Sequence, residues 1–174
     1  MNILVAYASR LGSTKAIAAH LAARLETHGL TAADRPIGSI GDLTSYDAFV
    51  IGSAVYAGHW LKEATAFVHG HRTVLATRPV WLFSSGPVGT VASKVEPVDP
   101  ADVHELSTAV HAREHRTFAG ALDRGAVDGS DLGFAERFVA KRFVPDGDFR
   151  DWPAIEAWAD EIARELAATV TFDR

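Results

Sequence analysis

The chain has 174 residues, 48% of them hydrophobic and 22% charged, and a formal charge of −5 at neutral pH. That length suits one domain with a full core, and the acidic balance argues against non-specific nucleic-acid binding, which rests on basic excess. The absence of cysteine excludes disulfides, thiolate metal sites, cysteine-ligated iron–sulfur clusters and a cysteine nucleophile.

Ile3 to Tyr7 form a short apolar run of strand length. Small and hydroxyl residues follow at Ser9-Arg10-Leu11-Gly12-Ser13-Thr14, and then Ile17, Leu21 and Leu25 recur four apart, as on one face of a helix ending near Thr27. Strand, tight loop and helix in immediate succession suit an anion. The first N–H groups of a helix lack intrahelical acceptors, and its dipole is positive there. The chain opens in this strand without a basic leader, and no apolar run reaches the length of a membrane span. A soluble cytoplasmic protein is the expectation.

Leu30 to Arg35 reads as a weak edge strand, and Pro36 to Thr44 as a turn-rich connection. Tyr46 to Gly52 is a buried strand stopping at a loop, Ser53-Ala54-Val55-Tyr56-Ala57-Gly58-His59, before a helix from about Trp60 to Gly70. Pro79 to Phe83 is the next buried strand, ending in Ser84-Ser85-Gly86-Pro87-Val88-Gly89. Asp99 or Asp102 is placed to cap a helix running to about Arg113, and His115 to Leu122 is the last strand. An insert, about Asp123 to Asp151, precedes a final helix that starts near Trp152-Pro153 and buries Ile155, Trp158, Ile162 and Leu166. Within the insert, Leu132, Ala135, Phe138, Val139 and Phe143 fall at helical spacing among Arg137, Lys141 and Arg142. This is either a helix packed over the sheet edge or a basic-apolar lid. A lid of that kind would meet a quinone, a membrane surface or a carboxylated ligand, with Arg124 as a further cation.

Strands alternating with helices imply one α/β domain over residues 1–174: a three-layer sandwich whose five-stranded parallel sheet has order 2-1-3-4-5. In that order the loops after the first, third and fourth strands share one rim, at the switch point where such sheets bind ligands. A phosphate seat beside two loops able to sandwich a flat ring describes a mononucleotide site. Tyr56 and Trp60 read as ring contacts or as core aromatics, and His59 as a proton donor or a surface histidine. The eight histidines include His69-x-His71 and His111-x-x-x-His115, but neither pair has the carboxylate pattern of a zinc site, so no metal is expected. Gly52-Ser53 lacks the elbow motif of serine hydrolases. Tyr7-Ala8-Ser9 lacks the acidic cluster of a phospho-receiver.

These residues resemble the flavodoxin family, whose phosphate loop has the pattern T/S-x-T-G-x-T. Ser9, Gly12 and Thr14 match and Leu11 departs. The stretch from Ile51 to Trp60, with Phe83-Ser84-Ser85-Gly86-Pro87 and Gly147-Asp148-Phe149-Arg150-Asp151-Trp152, is most similar to the branch containing menaquinone-dependent protoporphyrinogen oxidases. The resemblance covers essentially the whole chain. It implies non-covalent FMN, with Ser9, Arg10, Leu11, Gly12, Ser13 and Thr14 at the phosphate. Ser53, Ala54, Val55, Tyr56, Ala57 and Gly58 would line one side of the ring, and Ser84, Ser85, Gly86, Pro87, Val88 and Gly89 the other. It implies an oxidoreductase passing electrons from a small organic substrate such as a tetrapyrrole to a quinone, with no side chain as chemical catalyst. A carrier between redox proteins is the alternative. A flavin-free or deazaflavin-binding protein is the third reading, prompted by Leu11 and by a third loop without an aromatic.

Overall fold

The computed structural model describes residues 1–86, 99–123, 125, 127, 133 and 146–172. Five strands form the parallel sheet, β1 (Asn2–Ala8), β2 (Thr31–Pro36), β3 (Ala48–Tyr56), β5 (Val80–Ser85) and β6 (Glu114–Phe118), in the order β2-β1-β3-β5-β6. With the short β4 (His59–Trp60) set aside as an appendage of β3, this is the expected order. Residues from Ile3 to Tyr7, Ala48 to Ile51 and Val80 to Phe83 are buried, because the central strands have both faces covered.

One face packs on α1 (Ser13–Thr27) and α4 (Trp152–Phe172), the other on α2 (Lys62–Leu75) and α3 (Val103–Val110). The expected apolar stripe of α1 is fully buried at Ile17, Leu21 and Leu25, as is that of α4 at Ile155, Trp158, Ile162 and Leu166. Polar bonds join the two helices along their shared edge. Arg24 donates from Nε and Nη2 to the two Asp160 oxygens at 2.7 and 2.8 Å. His28 reaches the same carboxylate at 2.7 Å, and His20 meets Glu156 at 2.9 Å. Under them the Trp158 ring lies edge-on to Phe118 and Phe83, and its indole N–H donates to Glu114.

Several boundaries differ from the sequence reading, and for β3 and β5 the cause is that the strands run further toward the rim. β3 continues through Tyr56, so the expected loop from Ser53 to His59 is a β-hairpin whose turn is only Ala57-Gly58. Both turn residues have positive φ, 51° and 79°, the backbone of a tight two-residue hairpin. Trp60 therefore sits in β4, and α2 starts at Lys62. β5 likewise takes in Ser84 and Ser85. The expected last strand is divided: β6 ends at Phe118, and β7 (Ala121–Leu122) pairs antiparallel with β8 (Gly147–Asp148). α3 stops at Val110, where His111 turns left-handed, three residues before the expected end. Asp102 makes no capping bond to α3, because its carboxylate binds the hairpin instead. The amphipathic stretch at Leu132, Ala135, Phe138, Val139 and Phe143, with Arg124, Arg137, Lys141 and Arg142, lies outside the described residues. Among the described residues no helix is long and apolar enough to cross a membrane.

Gly52 is the tightest point of the sheet. A Cβ built there would stand 2.0 Å from the ring of Phe83 on the neighbouring strand. The ring occupies the space of the missing side chain, and because the clash is at the Cβ itself no rotamer change could relieve it. Gly52→Ala should therefore cost about 1–3 kcal/mol of stability, the usual cost of overpacking. Adding Phe83→Leu should recover part of that loss in a denaturant titration.

Candidate functional site

The rim is built upward from the β1–α1 turn. Ser9 Oγ accepts the N–H of Gly12 at 3.1 Å, closing the loop. Gly12 has φ 85°, a left-handed backbone that glycine adopts without strain, and its carbonyl accepts the first helical bond, from Ala16. This sharp reversal aims the start of α1 at the rim. No acidic side chain lies in its first turn, so nothing internal neutralises the positive end of the dipole.

Thr14 tests whether this seat fits an anion. Among the described residues two buried side-chain polar atoms lack a hydrogen-bond partner, Thr14 Oγ1 and Trp81 Nε1. Trp81 is deep in the sheet with the Arg113 guanidinium over its ring, whereas Thr14 is in the first turn of α1. An unmade hydrogen bond at a buried hydroxyl is costly. An anion at the helix start supplies the missing acceptor, so the residues present fit a phosphate.

The other hydroxyls of the rim are largely committed. Ser13 Oγ accepts the N–H of Ala121 at 2.9 Å and lies 3.2 Å from Ser85 Oγ, tying α1 to β5 and to the start of the insert. Ser53 Oγ donates to the carbonyl of Ala54 and accepts the N–H of Leu61. Ser84 Oγ accepts the indole N–H of Trp60 at 2.8 Å. Ser53 and Ser84 are fully buried and hold the rim from beneath. Gly86 follows at φ 131°, its N–H donating to Phe118. Pro87, Val88 and Gly89 lie outside the described residues.

Tyr56 stands at the mouth. The Arg10 guanidinium lies over its ring, 5.3 Å from the centroid. Tyr56 and Leu11 pack against buried Leu122 and Val127. The departure at Leu11 thus has a physical cause: this side chain is an apolar contact joining the β1–α1 loop to the start of the insert. The hairpin tip is pinned to the residues before α3. Gly58 accepts from Ala101 at 3.0 Å, and Asp102 accepts the N–H of Trp60 at 3.0 Å and meets His59 Nδ1 at 3.2 Å. Trp60 is 4% exposed, which makes it a core aromatic, while the His59 imidazole is open to solvent.

Asp102, Leu122 and Val127 are parts of this rim that motif reading missed, since each arrives through the tertiary fold. The histidines first considered for metal have ordinary partners. His69 faces Glu105 at 3.8 Å, and His71 Nδ1 meets the Phe67 carbonyl at 2.9 Å.

Such a rim belongs to the class of doubly wound α/β proteins that hold a mononucleotide where the strand order reverses. Residues 4–144 match the family model described as flavodoxin domain, and the chain belongs to that family, whose members bind FMN. Protoporphyrinogen IX dehydrogenase [quinone] of Escherichia coli strain K12 is 27% identical over 175 residues, covering 94% of this chain and 95% of that protein. Among solved structures, a cysteine-to-serine variant of the flavodoxin of Pseudomonas aeruginosa superposes with TM-score 0.60 at 18% identity, over 96% of this chain and 99% of that one. Rubredoxin:oxygen oxidoreductase of Desulfovibrio gigas superposes with TM-score 0.62 at 14% identity; this chain is 97% covered and spans 37% of that larger protein.

The segment from Gly147 to Trp152 returns the insert to the domain. Arg150 donates from Nε and Nη2 to the two Asp148 oxygens, each at 2.7 Å, and its guanidinium lies 4.4 Å from the Trp152 ring centroid. The hydrogen-bonded Arg150 holds the Asp148 carboxyl down at about 2. An ordinary aspartate titrates near about 3.9. The stabilisation from this pair is therefore complete above that value and is lost as pH falls through about 2. Asp148→Asn should flatten the acid limb of a melting-temperature profile between about pH 4 and 2, leaving its neutral limb parallel to that of the wild type.

Proposed function

We propose that this chain is an FMN-dependent oxidoreductase that passes electrons from an organic substrate to a quinone, with protoporphyrinogen the first substrate to test. The observation that carries the reading is the unpartnered Thr14 hydroxyl in the first turn of α1, within the family's phosphate loop. The substrate class rests on the similarity to the quinone-linked dehydrogenase over nearly the whole of both chains.

In this reading the loop from Ser9 to Thr14 holds the phosphate, through the N–H groups of the first turn of α1 and the Thr14 hydroxyl. Arg10 and Lys15 add positive charge nearby. The hairpin from Ser53 to Gly58, with Tyr56 at its edge, lines one side of the ring site, and Ser84 to Gly89 the other. Ser53 and Ser84 act as supports, since their hydroxyls are already bonded inside the fold. Bound FMN supplies the electron-accepting chemistry. The side chains exclude water, orient the ring and set the charge around it. The packing role of Leu11 removes the reason to read its departure as a sign against FMN. A carrier between redox proteins is the second reading, favoured by the likeness to flavodoxins along almost their full length.

Thr14→Ala should weaken FMN binding about tenfold, one lost hydrogen bond to a charged group. Riboflavin, which has no phosphate, should bind it within about twofold of the wild type. Equal loss of both in fluorescence titrations refutes the phosphate seat. FMN-loaded protein should oxidise protoporphyrinogen with menaquinone as acceptor. Failure with every quinone, together with rapid electron exchange with a redox protein, favours the carrier.

A further inference from the structure

A second array lies beneath the rim, and the proposed reaction does not use it. His115, on β6, is buried, its side chain 7% exposed. Its Nδ1 is 3.1 Å from Asp99 Oδ1, and its Nε2 is 2.8 Å from Ser84 Oγ. Ser84 Oγ in turn accepts the indole N–H of Trp60 at 2.8 Å. Serine, histidine and aspartate in this sequence suggest a nucleophile, but Ser84 is fully buried and its oxygen is capped by the indole. Its oxygen is already held between two partners and is not placed to attack a substrate. The array is structural. The indole N–H can only donate, so Ser84 accepts that bond, and with a neutral imidazole protonated on Nδ1 the serine proton goes to His115 Nε2 and the Nδ1 proton to Asp99. In that form every donor of the array has an acceptor, Trp60 to Ser84 to His115 to Asp99.

We propose that His115 is a positioning residue for the ring site: through Ser84 it holds Trp60, and through Trp60 the Tyr56–Gly58 hairpin tip, and it does so only as a neutral imidazole. This rests on the flavin reading for the identity of the ligand, though not for the relay itself. Protonating Nε2 turns an acceptor into a donor aimed at Ser84. The serine proton then has no acceptor in the array, and Ser84 Oγ must accept from Nε2 and the indole at once with its own buried proton unbonded, which weakens its hold on Trp60. Trp60 is in β4, paired with Val55 across the hairpin, so a loosened indole moves the strand that carries Tyr56.

The charges around His115 agree with this polarity. Asp99 faces it from the segment before α3, and Glu114 acts from the same strand. Glu114 and Arg116 are engaged on the opposite face of the sheet, with Trp158 and Glu161. The packing face of α3 presents only Val103, Leu106 and Val110, β5 presents Ser84, and the hairpin presents Trp60, with Asp102 bound to its backbone. Burial is the largest influence and outweighs both carboxylates, holding His115 below the ordinary histidine range. A depressed histidine contributes stability above its unfolded value of about 6.5 and loses it as pH falls.

The test pairs riboflavin binding with the Trp60 indole resonance. Riboflavin avoids the titration of the FMN phosphate. Its affinity for wild-type protein should fall about tenfold as pH is lowered from about 7.5 through the His115 midpoint, which lies below the ordinary histidine range, the effect of one buried hydrogen bond left unmade. His115→Gln, which stays neutral, should match the wild type at pH 7.5 within about threefold and show a flat profile. In the flavin-free protein, the indole N–H resonance, assigned with Trp60→Phe, should shift with the midpoint of the His115 imidazole and stay still in His115→Gln. A resonance that ignores that titration overturns the relay and leaves the flavin reading standing. The same acid loss of affinity in His115→Gln also overturns the proposal. If neither flavin binds at any pH, the functional reading and the coupling to a ring site both fall.

Discussion

The contact between the Gly52 backbone and the Phe83 ring governs the middle of the sheet. β3 and β5 are adjacent and parallel, and each step of their register places a β3 residue beside a β5 residue. Because the ring occupies the space of an absent side chain, a one-residue slip would set Phe83 against a residue with a Cβ and would turn its apolar set to the wrong face. The same register carries Ser53 beside Ser84 and Ala54 beside Ser85. The rim therefore inherits its alignment from a packing constraint one residue below it.

Above that point the site is organised in two tiers. The lower tier is polar and buried. Ser53, Ser84 and Trp60 bind one another's elements, joining β3, the hairpin, α2 and β5 into one unit. The upper tier is the part that a ligand can meet: the start of α1 with Thr14, the Tyr56 ring under Arg10, and Gly86. Fixing the lower tier is what lets the upper tier stay partly unsatisfied. An isolated loop with a buried, unpartnered hydroxyl would rearrange to bond it; here the strand ends and the left-handed Gly12 leave little freedom to do so.

The fold and the β1–α1 turn were legible because they depend on local pattern. The apolar run at Ile3–Tyr7, the fourfold spacing from Ile17 to Leu25 and the hydroxyl-rich turn between them are all short-range signals. The strand order followed from alternation of element types. The hairpin was not legible, since Ala57-Gly58 lacks the asparagine or aspartate that usually marks such a turn, and Val55 and Tyr56 read equally well as strand or loop. The double role of the serines was invisible for a different reason. A serine at a strand end has the same spacing whether its hydroxyl faces a ligand or the Trp60 indole, and only the reach of that indole from β4 to Ser84 on β5 decides. Leu11 makes the same point in reverse: as a motif position it looked like a loss, and in the fold it is a contact with Leu122 and Val127.

The pairing of α1 with α4 joins residues 136 positions apart, Arg24 with Asp160 and His20 with Glu156. α1 is made long before α4, yet one side of its apolar stripe, and Trp158 over Phe83 and Phe118, close only when α4 is present. The sheet can zip from β1 through β5 beforehand, but this face stays exposed until α4 has been made. Such long-range closure slows folding and prolongs exposure of apolar surface. The nascent chain thus has its β1–α1 turn in place well before the helix behind that turn is supported, and chaperone dependence would track the distance still to be translated to Trp158.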